Sequence, residues 1–413
     1  MATTFVSDKI GAVDDTVSLI LNGKRVVVSE SYTIHEAILQ QPSTWSIRLG
    51  SGGLAAELLA LAPPNTPFKM MVGGHQQFTG RTEGQGATQA EGGATEIEIR
   101  GYDSLRPLTA AYVTAAVGVN VSTYAQLVWY AFQQVGIVPK TQNAIDPNIL
   151  KTDNAANRQL KTGVSLGSIL PHRTVQQILD NVDVSGPSVG SVHTSPQAKI
   201  GETWHRFIRR YIDRAGLFLW AAADGTFVLA APDGDQTPTY TLRRRRGQPN
   251  AGANVVSMDY DLDVSGRHSE VVIYGRGGGR VLGRVKAKGE FEDEEMQLVY
   301  GYTNRPMVHR DVHVHSPAEA TFFARRKLAE ERRNGWRLEY TVAGHTLPFF
   351  GNGQVRAVIV PDTIVSVDDE ELGLQDVFYI ETVVRRRSPQ TTTTMRLMRV
   401  QDLLFATPDE SAD

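Results

Sequence analysis

The chain has 413 residues, with 42 Lys and Arg against 45 Asp and Glu, so its formal net charge of −3 provides no global positive field to hold the molecule on nucleic acid or anionic lipid. Hydrophobic residues make up 41% and charged residues 21%, which places it among globular proteins and excludes disorder as the default, at a length that accommodates several domains. The absence of cysteine excludes disulfide scaffolds, thiol catalysis and thiolate zinc sites, and suits assembly in a reducing cytoplasm. The first thirty residues show no basic segment followed by an apolar core, and no run approaches the roughly 18 apolar residues of a membrane span. Neither a signal peptide nor stable membrane insertion is expected.

From Thr16, the stretch TVSLILNGKRVVV sets Asn22-Gly23 between two strand-like runs, a hairpin signal. Alternation recurs at Ser43 to Leu49. PPNTPFKMMVGGHQQFTGRTEG then carries a Gly73-Gly74 turn, and in TEIEIRGYDSL Ile97 and Ile99 alternate with glutamates. Residues 1–115 are expected to form one antiparallel β domain.

The period then changes. In STYAQLVWYAFQQVG, apolar residues at 124, 127, 128, 131, 132 and 135 follow helical spacing, with Ser122 or Thr123 as cap and Gly136 as stop. A polar stretch from 140 to 200 carries one short helical pattern, Thr174 to Val182. Trp204, Phe207, Ile208, Tyr211 and Ile212 repeat the helical pattern up to Gly216, and LFLWAAADGTFVLA predicts a hairpin around Asp224-Gly225. Residues 116–250 therefore read as an inserted α+β domain with helices and a hairpin.

Strands resume after Arg243 to Arg246, with SMDYDLDV, SEVVIYGRG and the glycine-rich GRGGGR. Ser316-Pro317-Ala318-Glu319 opens a helix at about 317–333 with a capping box and a proline in its first turn, and Asn334-Gly335 closes it. Alternation over Trp336 to Val342 and the run PDTIVSVDDEELGLQDVFYIETVVRRR complete a domain at 251–405, followed by an acidic tail at 406–413. The expected fold class is α+β, mainly β, with two tube-like antiparallel β-barrel domains flanking the insertion.

The two β domains share a phrase. Trp45-to-Leu49 alternation, Pro64-Asn65-Thr66, a run ending at Val72 and Phe78-Thr79-Gly80-Arg81-Thr82 are followed later by Trp336-to-Val342 alternation, Pro361-Asp362-Thr363, a run ending at Val367 and Phe378-Tyr379-Ile380-Glu381-Thr382. This order predicts an internal duplication. The acidic loop Asp368, Asp369, Glu370 and Glu371 would then join two strands as Gly73 and Gly74 do in the first copy, and these two loops are the candidate interaction loops.

Chemistry is sparse. In HRDVHVH, His309, Asp311, His313 and His315 share parity on a strand, but residues two apart lie about 7 Å apart, so only adjacent pairs such as His313 and His315 could chelate one ion. A polar solvent or interface face is the competing reading. GRGGGR lacks the Lys-Ser/Thr of a phosphate loop and reads as a bulge or hairpin tip, and PDGDQ falls short of a calcium loop. Arg243 to Arg246 offers phosphate contacts to DNA, against a solvated face or subunit contact. No Gly-x-Ser-x-Gly elbow or His-Glu-x-x-His motif occurs. No cofactor and no catalytic residue is assigned.

GYDSLRPLTAAYV with the Tyr124 helix, SPAEATFFARRKLAEERR running into WRLEYTVAGHT, and the 361–387 run together resemble the baseplate hub protein of Mu-like contractile-tailed phages, the late control D or tail-spike hub family. The resemblance spans residues 14 to 405, and the chain departs from it in a longer 140–200 segment. It implies a non-enzymatic homotrimer in the virion, at the tail baseplate, assembled in the host bacterial cytoplasm. The implied partners are the tail tube protein, the central spike protein and other baseplate proteins, with transient passage of phage DNA through a lumen. The competing functions are a hub-associated cell-wall hydrolase and the trunk of a bacterial secretion or tailocin spike.

Overall fold

A computed structural model describes residues 15–137, 196–275 and 287–403, apart from 29, 40–41, 51–54, 90–94, 120, 122–123, 214–215, 224, 226, 233, 247–252, 312–313, 315 and 351. Period-two alternation governs the first part. Strands β1 (Val17–Leu21) and β2 (Lys24–Val28) are joined by Asn22 and Gly23, both at positive φ (48° and 78°). That turn matches the right-handed twist of the strands it connects. β3 (Ser31–Ala37), β4 (Thr44–Gly50), β5 (Pro67–Val72), β6 (His75–Gln89) and β7 (Thr95–Asp103) follow, with helix α1 (Ala55–Leu61), which the sequence reading had not anticipated, between β4 and β5. Trp45, Ile47 and Leu49 on β4 and Ile97 and Ile99 on β7 point to one face, where they meet Leu19, Phe68, Met70 and Phe78.

Helical periodicity organises the next unit: α2 (Arg106–Ala110), β8 (Val117–Gly118), α3 (Tyr124–Gln134), β9 (Gln197–Ala198), α4 (Trp204–Ile212), β10 (Phe218–Ala221) and β11 (Phe227–Ala230). Leu127, Val128, Ala131 and Phe132 of α3 pack on Phe207, Ile208, Tyr211 and Ile212 of α4 and on the β10–β11 hairpin. Each buried Leu, Val, Ile or Phe side chain among them contributes roughly 1.5–3 kcal/mol. Thr203 caps α4 by accepting from Arg206 N at 3.2 Å. The expected caps Ser122 and Thr123, and the predicted helix at 174–182, lie outside the described residues.

The remaining elements are β12 (Tyr240–Arg244), β13 (Val255–Leu262), β14 (Glu270–Gly275), β15 (Ala287–Glu292), a π-helical turn at Glu295–Val299, β16 (Pro306–Asp311), α5 (Pro317–Gly335), β17 (Trp336–Ala343), β18 (Thr346–Phe349), β19 (Asn352–Val358), β20 (Ile364–Asp369), β21 (Leu374–Arg387) and β22 (Thr391–Arg399). The capping box at the start of α5 is present, with Glu319 N donating to Ser316 Oγ and Ser316 N donating to the Glu319 carboxylate. β14, β15 and β16 form a small sheet under α5. The packing is so close that a Cβ on Gly289 would sit 2.1 Å from Thr321 N.

Among the described residues the largest sheet has fifteen strands, in the order β19-β18-β12-β20-β21-β3-β4-β7-β6-β5-β1-β2, with β22, β17 and β13 branching from β21. β21 makes the branch because it is long enough to pair with β20 and β3 in succession on one edge and with β22 on the other. Two stretches follow the same antiparallel path: β4-β7-β6-β5 and β17-β22-β21-β20. Each carries a bulge at the same point, at Glu83 between Thr82 and Gly84 and at Glu381 between Ile380 and Thr382.

The lead-ins also match. Asn65 and Asp362 are both at positive φ (70° and 63°), Thr66 and Thr363 donate their hydroxyls to Pro63 O and Val360 O at 2.7 Å, and Asn65 N and Asp362 N donate to Thr82 O and Ile380 O. Strand pairing sets Trp45 level with Leu338 rather than with Trp336, so the side-by-side reading of the two phrases was offset there by two residues. An offset of two keeps the same residues on the buried face, which is why alternation alone did not reveal it. Both paths curl: β2 returns against β4, and Asn254 N donates to Arg243 O, bringing β13 beside β12. The fold is α+β and mainly β.

Candidate interaction surfaces

The acidic stretch and the basic run, singled out separately in the sequence, face each other. β12 lies parallel to β20, with Arg243 opposite Asp368 and Arg244 opposite Asp369. Arg245 spans Asp368 (2.5 Å) and Glu370 (2.7 Å), Arg244 reaches Asp369 (3.5 Å) and Glu371, and Arg246 N donates to Glu370 Oε2 at 3.1 Å. The hydrogen bonds that Arg245 donates to Asp368 raise its pKa against the cost of burial. Of the basic run, Arg244 and Arg245 are therefore paired within the chain, and they hold the β20–β21 turn, while Arg243 and Arg246 stay exposed.

Asp369 differs from its neighbours because its side chain is fully buried. It accepts from Tyr340 Oη at 2.8 Å and, through Oδ1, from Glu371 N (2.9 Å) and Leu372 N (3.1 Å). Burial, followed by that bond to Asp369, raises the Tyr340 pKa. Asp369 is thus the anchor of the turn, and Asp368, Glu370 and Glu371 form its partly exposed rim.

Gly73 and Gly74 form the β5–β6 turn, at φ 56° and 78°. Because β5–β6 and β20–β21 occupy equivalent places in the two paths, the glycine turn and the acidic turn stand at equivalent ends. Just beyond the glycines, Gln76 Nε2 donates to Ala223 O at 2.7 Å, tying this hairpin to the β10–β11 unit.

Of the histidine-rich stretch, His309 and Asp311 lie on β16, where the His309 ring meets Phe323 edge-on at 5.8 Å. His313 and His315 lie outside the described residues, as does GRGGGR beyond Gly275, the last residue of β14. No group of three or more metal-ligating side chains occurs among the described residues.

Two buried polar clusters escaped the sequence reading because their members are far apart in the chain. At the β3–β21 seam, fully buried Arg385 pairs with Glu36 and donates to Ile359 O and, at 3.2 Å, to Gln77 Oε1. Beside it His345 lies between Tyr32 Oη and Thr393 Oγ1, both at 2.7 Å. Burial, reinforced by Arg385, lowers the His345 pKa to about 3 and keeps the ring neutral. In the second cluster Arg267 pairs with Asp293 (2.9 Å) and Glu295 (2.7 Å), Arg332 with Asp293 (2.6 Å) and Arg399 with Glu295 (2.9 Å). Burial works against the Asp293 charge, but Arg332 and Arg267 outweigh it and hold its carboxyl below the usual range. This network fastens the small sheet and α5 to β22.

No protein-family model and no curated protein matches the sequence. Solved structures do match in fold. The tail protein from Neisseria meningitidis MC58 is 22% identical with a TM-score of 0.65, over 93% of this chain and 96% of that one. The 43 kDa tail protein of prophage MuSo2 from Shewanella oneidensis is 16% identical with a TM-score of 0.64, over 94% and 99%. More distantly, the E. coli c3393 protein is a type VI secretion component with structural similarity to the T4 bacteriophage tail proteins gp27 and gp5. It matches at 12% identity and a TM-score of 0.50, over 92% of this chain and 76% of that one. The chain shares the fold of the two tail proteins over 93% and 94% of its length.

Proposed function

We propose that this protein is a structural hub of a contractile phage-tail baseplate, joining a hexameric tail tube to a trimeric central spike. The observation that carries the reading is fold agreement over 93% of this chain and 96% of a tail protein, with neither chain contributing a large unmatched part. The repeated path supplies the physical rationale. Three subunits closed about an axis, each with two equivalent β units at 1–115 and 251–405, present near-sixfold geometry to a tube and threefold geometry to a spike. The helical unit with α3, α4 and the β10–β11 hairpin sits outside that repeat.

On this reading the Gly73-Gly74 turn and the Asp368-to-Glu371 turn are equivalent loops of different chemistry, one small and neutral, the other acidic and braced by Arg244 and Arg245. That difference lets a pseudo-sixfold ring address threefold partners. The protein is non-enzymatic, resides in the virion at the baseplate, and surrounds a lumen through which DNA passes.

Co-expression with the tube and spike proteins of the same genome tests this. The expected product is a co-purifying complex whose electron-microscopy averages show threefold symmetry. Failure to associate with either partner, or release of peptidoglycan fragments by the purified chain, would overturn it. A second reading, the trunk of a bacterial secretion spike, is favoured by the matches to the E. coli secretion component and to the Francisella PdpA-VgrG complex, the latter at a TM-score of 0.51. Recovery of the native protein from phage particles or from a secretion apparatus separates the two.

A further inference from the structure

Between α4, β10, β16, α5 and the β21 bulge lies a cavity of about 330 Å³. Its cationic lining comprises Arg209, Arg210, Arg326, Lys327, Arg333 and Arg396, and its carboxylates are Asp213, Asp311, Glu330 and Glu381. Several of these charges are already matched. Lys327 pairs with Glu330 at 2.9 Å, Arg396 with Glu381 at 3.4 Å, Arg209 with Asp213 at 3.4 Å, and Arg210 with Glu202, outside the cavity, at 2.7 Å.

Arg326 stands apart. It is only 8% exposed, its nearest carboxylate is Asp213 at 3.8 Å, which Arg209 already holds more closely, and its Nη1 has no hydrogen-bond partner. Burial pulls its pKa down to about 10, the mark of a charge the surrounding groups do not fully compensate. A buried guanidinium nitrogen without an acceptor is costly, and a planar guanidinium is well shaped to receive an oxyanion. The other walls, Phe218, Phe323 and Leu39, are apolar, so the cavity joins a cationic end to room for a carbon skeleton.

We propose that this cavity binds a small phosphate-bearing anion, free phosphate or a phosphate monoester, whose oxygens accept from Arg326 Nη1 with Arg209 as a second cation of the lining. The site is independent of the assembly role, since it lies within one chain.

The test is titration calorimetry of the full chain with inorganic phosphate and with glycerol 3-phosphate, each against sodium chloride of equal ionic strength, with ³¹P line widths as a second reading. Saturable binding of at least one phosphate probe is expected, with no response to chloride. Tighter binding of glycerol 3-phosphate assigns the site to a monoester, and equal or weaker binding assigns it to free phosphate. Arg326→Gln should weaken binding by about tenfold or more, the scale of one charge-assisted bond. Should that variant fail to fold, Arg209→Gln, on the partly exposed part of the lining, should weaken binding severalfold. Absence of saturable binding for both probes at millimolar concentration, or binding unchanged in the folded Arg326→Gln or Arg209→Gln protein, would overturn the proposal.

Discussion

Replacing Arg385 by Met probes the seam that makes one sheet of two β paths. Arg385 has no exposed surface, and the Glu36 side chain it neutralises is only 7% exposed. Removing the guanidinium leaves a carboxylate buried without a countercharge, which typically costs about 3–5 kcal/mol. Gln77 and Ile359 O also lose donors, at about 1 kcal/mol each. Arg385→Met should therefore destabilise by roughly 5–7 kcal/mol. Arg386→Met, one residue along and exposed, should stay within about 0.5 kcal/mol of the parent. Adding Glu36→Met removes the orphaned charge, so the double variant should be more stable than Arg385→Met alone, by about 1–4 kcal/mol. Urea unfolding followed by tryptophan fluorescence and circular dichroism measures these variants, the Glu36→Met single variant and the parent, with the midpoint reporting stability and the slope reporting exposed surface. If Arg385→Met were as mild as Arg386→Met, or the double variant's loss equalled the sum of the two single losses, the seam would not rest on this pair.

Other consequences are independent of the seam pair or separable from it. Asp369→Asn should cost about 1–3 kcal/mol in urea unfolding, because it disturbs a buried acceptor of three hydrogen bonds, whereas Arg245→Gln should change stability little, and only at low salt. His345 has its pKa lowered from the ordinary 6.5 to about 3, so the stability it contributes is complete above about pH 6.5 and is lost as pH falls toward 3. His345→Gln should flatten the pH dependence of the melting temperature over that window, and an unchanged slope would contradict the neutral buried ring. Ser316→Ala removes the α5 cap and should cost about 1 kcal/mol by the same unfolding assay.

What could be read in the sequence was local. Asn22-Gly23, the Trp204-to-Ile212 stripe and the Ser316 capping box each specify a structure within a few residues, and each formed as expected. The repeated phrase was legible because Pro64-Asn65-Thr66 and Pro361-Asp362-Thr363 fix the same strained lead-in. Its register was not, because a strand pattern looks alike after a shift of two.

β12 was hidden for a different reason. A five-residue strand ending in arginines resembles a polar linker until β20 lies beside it and Asp368 and Asp369 meet its charges. The Arg385–Glu36 pair and the Arg326 cavity join residues hundreds of positions apart or on separate elements. Only the folded chain brings them together.

The central claim is that this subunit works as part of a threefold ring. Light scattering of the purified protein over a range of concentrations tests it most directly: the account predicts a stable mass three times 45.3 kDa, and a monomer at every concentration would contradict it.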